Sequence, residues 1–107
     1  MGIIFYVESD TLIAVLSGEI DHHVTEKLRN DIDSEMAMCD TKDLIFDFRD
    51  VVFMDSSGIG MVLGRYKKVH NAGGRVTIRN AGKLVKQILE MSGVFTLMEY
   101  EDAAYGK

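Results

Sequence analysis

Two hydrophobic rhythms alternate along the chain. Residues 3–8 and 12–17 are apolar runs separated by Ser9-Asp10-Thr11, the pattern of two antiparallel strands joined by a tight turn. Gly18 ends the second strand and opens a polar loop, Glu19-Ile20-Asp21-His22-His23. Val24, Leu28, Ile32 and Met36 then recur at helical spacing, with Glu26, Arg29 and Asp33 on the outer face. No glycine stops this helix, so its end falls between Met38 and Asp40. Residues 44–48 form the next strand. Arg49-Asp50 is a brief irregularity before Val51-Val52-Phe53-Met54, a continuous apolar run that reads as a strand covered on both faces.

The sharpest change of rhythm follows directly. Ile59, Val62, Leu63, Tyr66 and Val69 predict an amphipathic helix to about His70, stopped by Asn71-Ala72-Gly73-Gly74. Gly64 within it costs helix propensity and suggests close approach of another backbone. Residues 75–79 alternate as a half-exposed strand with Val76 and Ile78 on one face. Leu84, Val85, Ile88 and Leu89 mark a third helix closed by Ser92-Gly93; residues 95–100 form a last strand and residues 101–105 a helical stub. From the second strand onward strands and helices alternate, which calls for parallel strands joined by right-handed crossovers. The expected fold class is therefore α/β: one domain over residues 1–107, with a mixed, mainly parallel sheet of four to five strands. The first strand lies antiparallel at one side. Sites in such sheets gather beyond the carboxyl ends of the strands. The loop over residues 18–23 and the segment 55–58 should be neighbours on one rim.

Composition narrows the partners. A net charge of −5 at pH 7 argues against nucleic acid, which needs clustered Lys and Arg that Lys67-Lys68 alone do not supply. The single cysteine, Cys39, excludes an internal disulfide and fits a reducing compartment. No apolar run approaches the ~20 residues that span a bilayer, and the N-terminus lacks the pattern of a leader. A cytoplasmic location is expected, with no membrane or nucleic-acid partner. Met54, Met61 and Met91 read as core filler.

The candidate chemistry sits where the strand over 51–54 breaks into the helix. Asp55 and Ser56 are both good N-caps, and the unpaired amides of the first turn carry the positive end of the helix dipole. A serine held there faces surroundings that favour an anion. Ser56 and Ser57 compete for that role, and adjacent hydroxyls at a helix start are not separable on these grounds. Neither is flanked by glycines as a nucleophile elbow requires, and no histidine stands in a recognisable Ser-His-Asp arrangement. Gly58-x-Gly60 is too short for a dinucleotide fingerprint and no Walker lysine follows. The adjacent His22 and His23 make an unconvincing chelate. No catalytic residue, metal site or cofactor is expected.

The run Asp55-Ser56-Ser57-Gly58-Ile59-Gly60-Met61-Val62-Leu63-Gly64-Arg65-Tyr66-Lys67 resembles the signature of the anti-sigma factor antagonists, the bacterial STAS domains. Gly18-Glu19-Ile20-Asp21-His22-His23 is closer to the sporulation type than to the general-stress type, and the likeness extends to Met91-Ser92-Gly93-Val94-Phe95. The resemblance implies a βα superhelix of four to five strands. It also implies that Ser56, the first serine of the pair, is phosphorylated by an anti-sigma factor that is itself an ATP- or ADP-bound serine kinase. Unphosphorylated, such a protein binds the kinase and frees the sigma factor; a separate phosphatase resets Ser56. Glu19, Asp21, His22, Asp55, Ser56, Ser57 and Gly58 are the implied partner-binding residues, Asp21 meeting a basic residue of the kinase, and the free protein is expected as a monomer. The other function considered is a regulatory STAS domain of a different signalling system, stressosome-like or sensing a nucleotide or small molecule.

Overall fold

A computed structural model describes residues 2–102. Strand β1 (Gly2–Glu8) and strand β2 (Thr11–Ile20) form the antiparallel hairpin, with Ser9 in the left-handed region at φ 52° to make the two-residue turn. Helix α1 (Thr25–Cys39), β3 (Asp43–Met54), α2 (Ser56–Asn71), β4 (Val76–Arg79), α3 (Lys83–Ser92) and β5 (Glu99–Glu101) follow. The sheet order is β1-β2-β3-β4-β5, and every pair after the hairpin is parallel. Right-handed crossovers that always advance in the same direction bring successive helices to one face of a sheet. Accordingly Leu28 and Ile32 of α1, Met61, Val62 and Val69 of α2, and Val85 and Leu89 of α3 share one core with Leu12, Leu16, Phe46, Phe48 and Ile78 of the strands.

The terminators are those the chain announces, with one substitution. Helix α1 has no glycine, and Asp40 takes the left-handed cap at φ 52° instead. Gly73 at φ 87° ends α2, and the Gly74 amide donates back to the Val69 carbonyl at 2.8 Å. Gly93 at φ 83° closes α3.

Several expectations are corrected. Gly18 does not end β2; at φ 85° it lets the strand continue through Ile20 across a bulge. Pairing passes from Val15–Asp47 to Ser17–Asp50, then from Gly18–Val51 to Glu19–Phe53, so β3 carries an extra residue at each step. The irregularity at Arg49-Asp50 is therefore a register shift inside one long strand. The end of β3 is not covered on both faces: Val52 is 64% and Phe53 41% exposed. The reason is length, because β4 pairs only with Leu44, Ile45, Phe46 and Asp47, and the rest of β3 outruns it with β2 as its one strand partner among the described residues. Asp33 does not face outward but pairs with Arg65 and Lys68 of α2. Residues 94–96 form a 3₁₀ turn before β5, where a strand was expected from Phe95. Met54 and Met61 are buried, whereas Met91 is 88% exposed. Of the expected helical stub, Glu101 lies in β5 and residues 103–105 lie outside the described residues.

Gly64 is approached by no other backbone among the described residues: none of their atoms outside its own helix backbone stands within 4 Å of where a Cβ would be. With that space empty, Gly64→Ala gains helix propensity at no steric cost. It should stabilise the fold by about 0.5–1 kcal/mol, read as a higher urea midpoint at unchanged slope; a lower midpoint would show a contact at that position.

Candidate functional site

The carboxyl ends of β2 and β3 meet at one rim. Ile20 pairs with Met54, and the Asp55 amide donates to the Ile20 carbonyl at 3.1 Å. That bond ties the loop after β2 to the start of α2, so the two segments expected as neighbours are neighbours. Asp21 fixes the loop: its carboxylate accepts from the His23 amide at 2.9 Å, and its carbonyl accepts from the amides of Val24 and Thr25. Glu19, His22 and His23 are exposed on the same rim, and Asp21 is partly so. The two imidazoles lie against each other, ring centres 4.0 Å apart.

Asp55 is the N-cap of α2. Its backbone is extended, and its carboxylate accepts from the Ser57 amide at 2.9 Å and from the Ser57 hydroxyl. The Ser57 hydroxyl holds the Asp55 carboxyl below the usual carboxylate range, opposed by partial desolvation and aided by the amides of Ser57, Gly58 and His22. Because the folded-state pKa is lowered, the stabilisation is present above the ordinary carboxylate pKa and is lost as pH falls through the lowered value. Asp55→Ala should lower the melting temperature by several degrees at neutral pH and by progressively less in acid. Asp55→Asn keeps a capping oxygen without the charge and should retain part of the loss. A deficit that does not shrink on acidification would separate it from the carboxylate.

The cap also distinguishes the two serines. Ser57 is half-buried with its hydroxyl held by Asp55, whereas Ser56 is exposed and its hydroxyl has no hydrogen-bond partner among the described residues. Ser56 stands on the first turn of a sixteen-residue helix, where free amides and the positive dipole end favour added negative charge. Gly58 is where the helix presses onto the strand ends. A Cβ there would come within 2.6 Å of Met54 Cε and 3.2 Å of Ile20 Cγ2, so glycine lets the first turn sit close to the sheet.

The seven residues expected from sequence thus converge on one rim, six of them solvent-accessible and Gly58 buried beneath. What the sequence did not reveal is the apolar surface beside them. Phe53, paired with Glu19, and Val52 are exposed at the overhanging end of β3. A signal for them existed only in comparative strand length: the extended run before Asp55 is far longer than the four residues available to β4.

Residues 3–104 match the STAS domain family. An anti-sigma F factor antagonist of Paenibacillus polymyxa is 36% identical over 91 residues, covering 85% of this chain and 78% of that protein. A solved structure of the anti-sigma factor antagonist SpoIIAA in its unphosphorylated form superposes with a TM-score of 0.83 at 30% identity, covering 97% of this chain and 90% of that one. The Bacillus cell fate determinant SpoIIAA in its phosphorylated form gives 0.76 at 28% identity, covering 97% and 93%. The chain belongs to the STAS domain family, with anti-sigma F factor antagonists among its relatives.

Proposed function

We propose that this protein is a phosphorylation-controlled anti-sigma factor antagonist of the sporulation type. Unphosphorylated, it binds a nucleotide-bound anti-sigma factor kinase and frees the sigma factor; the kinase then phosphorylates Ser56, binding is lost, and a phosphatase resets the serine. It acts as a substrate and binding protein in the cytoplasm and is a monomer when free. The observation that carries the reading is the exposed, unengaged Ser56 hydroxyl at a helix N-terminus, beside a Ser57 hydroxyl already held by Asp55. Kinship with anti-sigma F factor antagonists, and with SpoIIAA structures in an unphosphorylated and a phosphorylated form, supports it.

The rim offers what such a partner would need. Glu19 and Asp21 supply negative charge, Phe53 and Val52 apolar area, and Ser56 the group to be modified. The phosphate adds about −1.5 to −2 charges. Burying an uncompensated charge in a closed contact costs roughly 3–5 kcal/mol, about a hundred-fold or more in affinity. That suffices to end binding without any change of fold.

The test is incubation with the anti-sigma kinase and ATP, followed by mass spectrometry of the peptide spanning residues 55–65. One phosphate on Ser56 is expected. Ser56→Ala should abolish incorporation while leaving kinase binding largely intact, because a neutral methyl group replaces a neutral hydroxyl and the Asp55 cap is untouched. Stoichiometric phosphorylation of Ser56→Ala would move the acceptor elsewhere; no incorporation into the unmodified protein by an active kinase would favour a STAS domain of another signalling system.

A further inference from the structure

Between the C-terminal halves of α1 and α2, away from the rim, lies a cavity of about 410 Å³. Arg65 lines it, roughly 14 Å along α2 from Ser56 at 1.5 Å per residue. Arg65 is only 6% exposed, on a helix face otherwise made of Gly58, Met61, Val62 and Val69. A guanidinium carries five N–H donors and accepts nothing. Here Nε lies 3.0 Å from Asp33 Oδ1 in an ion pair not aligned as a hydrogen bond, and the buried Nη1 has no partner among the described residues. Asp33 is itself shared, its second oxygen 3.0 Å from Lys68 Nζ. Thr41, which also lines the cavity, has a buried Oγ1 with no hydrogen-bond partner among the described residues. Buried donors left unmade are uncommon in native proteins and mark sites where something else completes them.

The lining gives the chemistry of that something. Lys42, Arg65 and Lys68 face Asp33 and Asp40, three cations against two carboxylates, leaving one positive charge on a protein whose net charge is −5. Burial holds the Arg65 pKa below its usual value, with Asp33 opposing and Arg29 adding to the shift; a guanidinium nonetheless stays charged at neutral pH. Met36 and Val69 supply an apolar wall beside these donors. Volume, convergent donors and an apolar wall together are the features of a small-molecule site.

We propose that this cavity binds a small organic oxyanion, a carboxylate or phosphate head on a compact apolar body, with Arg65 and Thr41 toward the head and Lys42 and Lys68 at the mouth. The site stands apart from Ser56 and does not depend on the function proposed above.

Amide NMR titrations of the whole protein at constant ionic strength, with benzoate, phenyl phosphate and inorganic phosphate as probes, test it. Saturable shifts confined to Asp33, Thr41, Lys42 and the segment 65–72 are expected with at least one of the two organic anions, and which of them saturates first identifies the head group. Lys42→Gln combined with Lys68→Gln, both at the surface, should weaken that binding roughly ten-fold or more while the rest of the spectrum is unchanged. Shifts that rise linearly without saturating, that spread over Lys27, Lys83 and Lys86, or that persist undiminished in the double variant would overturn the proposal. A response to inorganic phosphate alone would mean an adventitious ion only and overturn it equally.

Discussion

Ser56→Asp should leave the melting temperature unchanged or slightly raised while binding to the anti-sigma kinase falls. The substituted carboxylate stands on the first turn of α2, exposed, with the free amides and dipole end facing it. That placement favours it by about 0.3–1 kcal/mol. On the proposed reading the same charge enters a contact shaped around a neutral hydroxyl, and affinity drops. The loss should be smaller than the hundred-fold or more estimated for phosphate, because one carboxylate carries less charge and lacks the three-oxygen geometry. A melting curve and a binding titration on one sample decide the matter. Lost binding together with a large fall in melting temperature would mean local unfolding, and full binding on an intact fold would place Ser56 outside the contact.

Gly74→Ala should destabilise the fold strongly. A Cβ at Gly74 would stand 2.0 Å from the Lys42 carbonyl oxygen and 2.9 Å from Val69 Cγ1. The first obstacle is backbone, so no side-chain rotation relieves it. The neighbouring bonds must yield instead: the Gly74 amide to the Val69 carbonyl, Arg75 N–H to Asp43 Oδ1 at 2.9 Å, and Leu44 N–H to the Arg75 carbonyl at 3.0 Å. These hold the start of β4 against β3. Overpacking of this kind costs about 1–3 kcal/mol or more. At roughly 4–8 °C per kcal/mol for a domain of this size, the melting temperature should fall by on the order of 10 °C. Gly64→Ala adds the same methyl group where there is room and should act in the opposite direction. Equal and small effects of the two substitutions would refute the close approach.

What could be read from the chain and what could not divide along physical lines. The helices, the hairpin and the parallel sheet were legible because each rests on a local period: Leu28 and Ile32 on α1, Val62 and Val69 on α2, Val76 and Ile78 on β4 are buried as their spacing implies. The rim was legible because it follows from where strands end. Pairings between elements carry no such local period. Asp33 is polar and its helical spacing points it to solvent, yet it sits between Arg65 and Lys68, thirty-two and thirty-five positions away. Asp47 lies inside an apolar strand, fully buried, with Arg79 Nε 3.2 Å from its carboxylate and the Arg49 amide donating to it at 3.0 Å. Neither partnership has a local period to betray it. Gly18 is ambiguous for a different reason, since a glycine that bulges a strand and one that ends it look alike until the register is known. Ser56 and Ser57 were indistinguishable in sequence because only the cap geometry of Asp55 makes one hydroxyl a donor and leaves the other idle.

The sheet order β1-β2-β3-β4-β5 is also the order of synthesis. Every strand pairs with the one made just before it, so no pairing waits for a distant segment and each loop to be closed spans one α-helix at most. Chains whose contacts are near in sequence close cheap loops and fold quickly. As the protein leaves the ribosome, at about 5–20 residues per second, each new strand finds an edge already laid down and covers it. The growing sheet therefore exposes one unpaired forward edge at a time, a kinetic safeguard written into the topology.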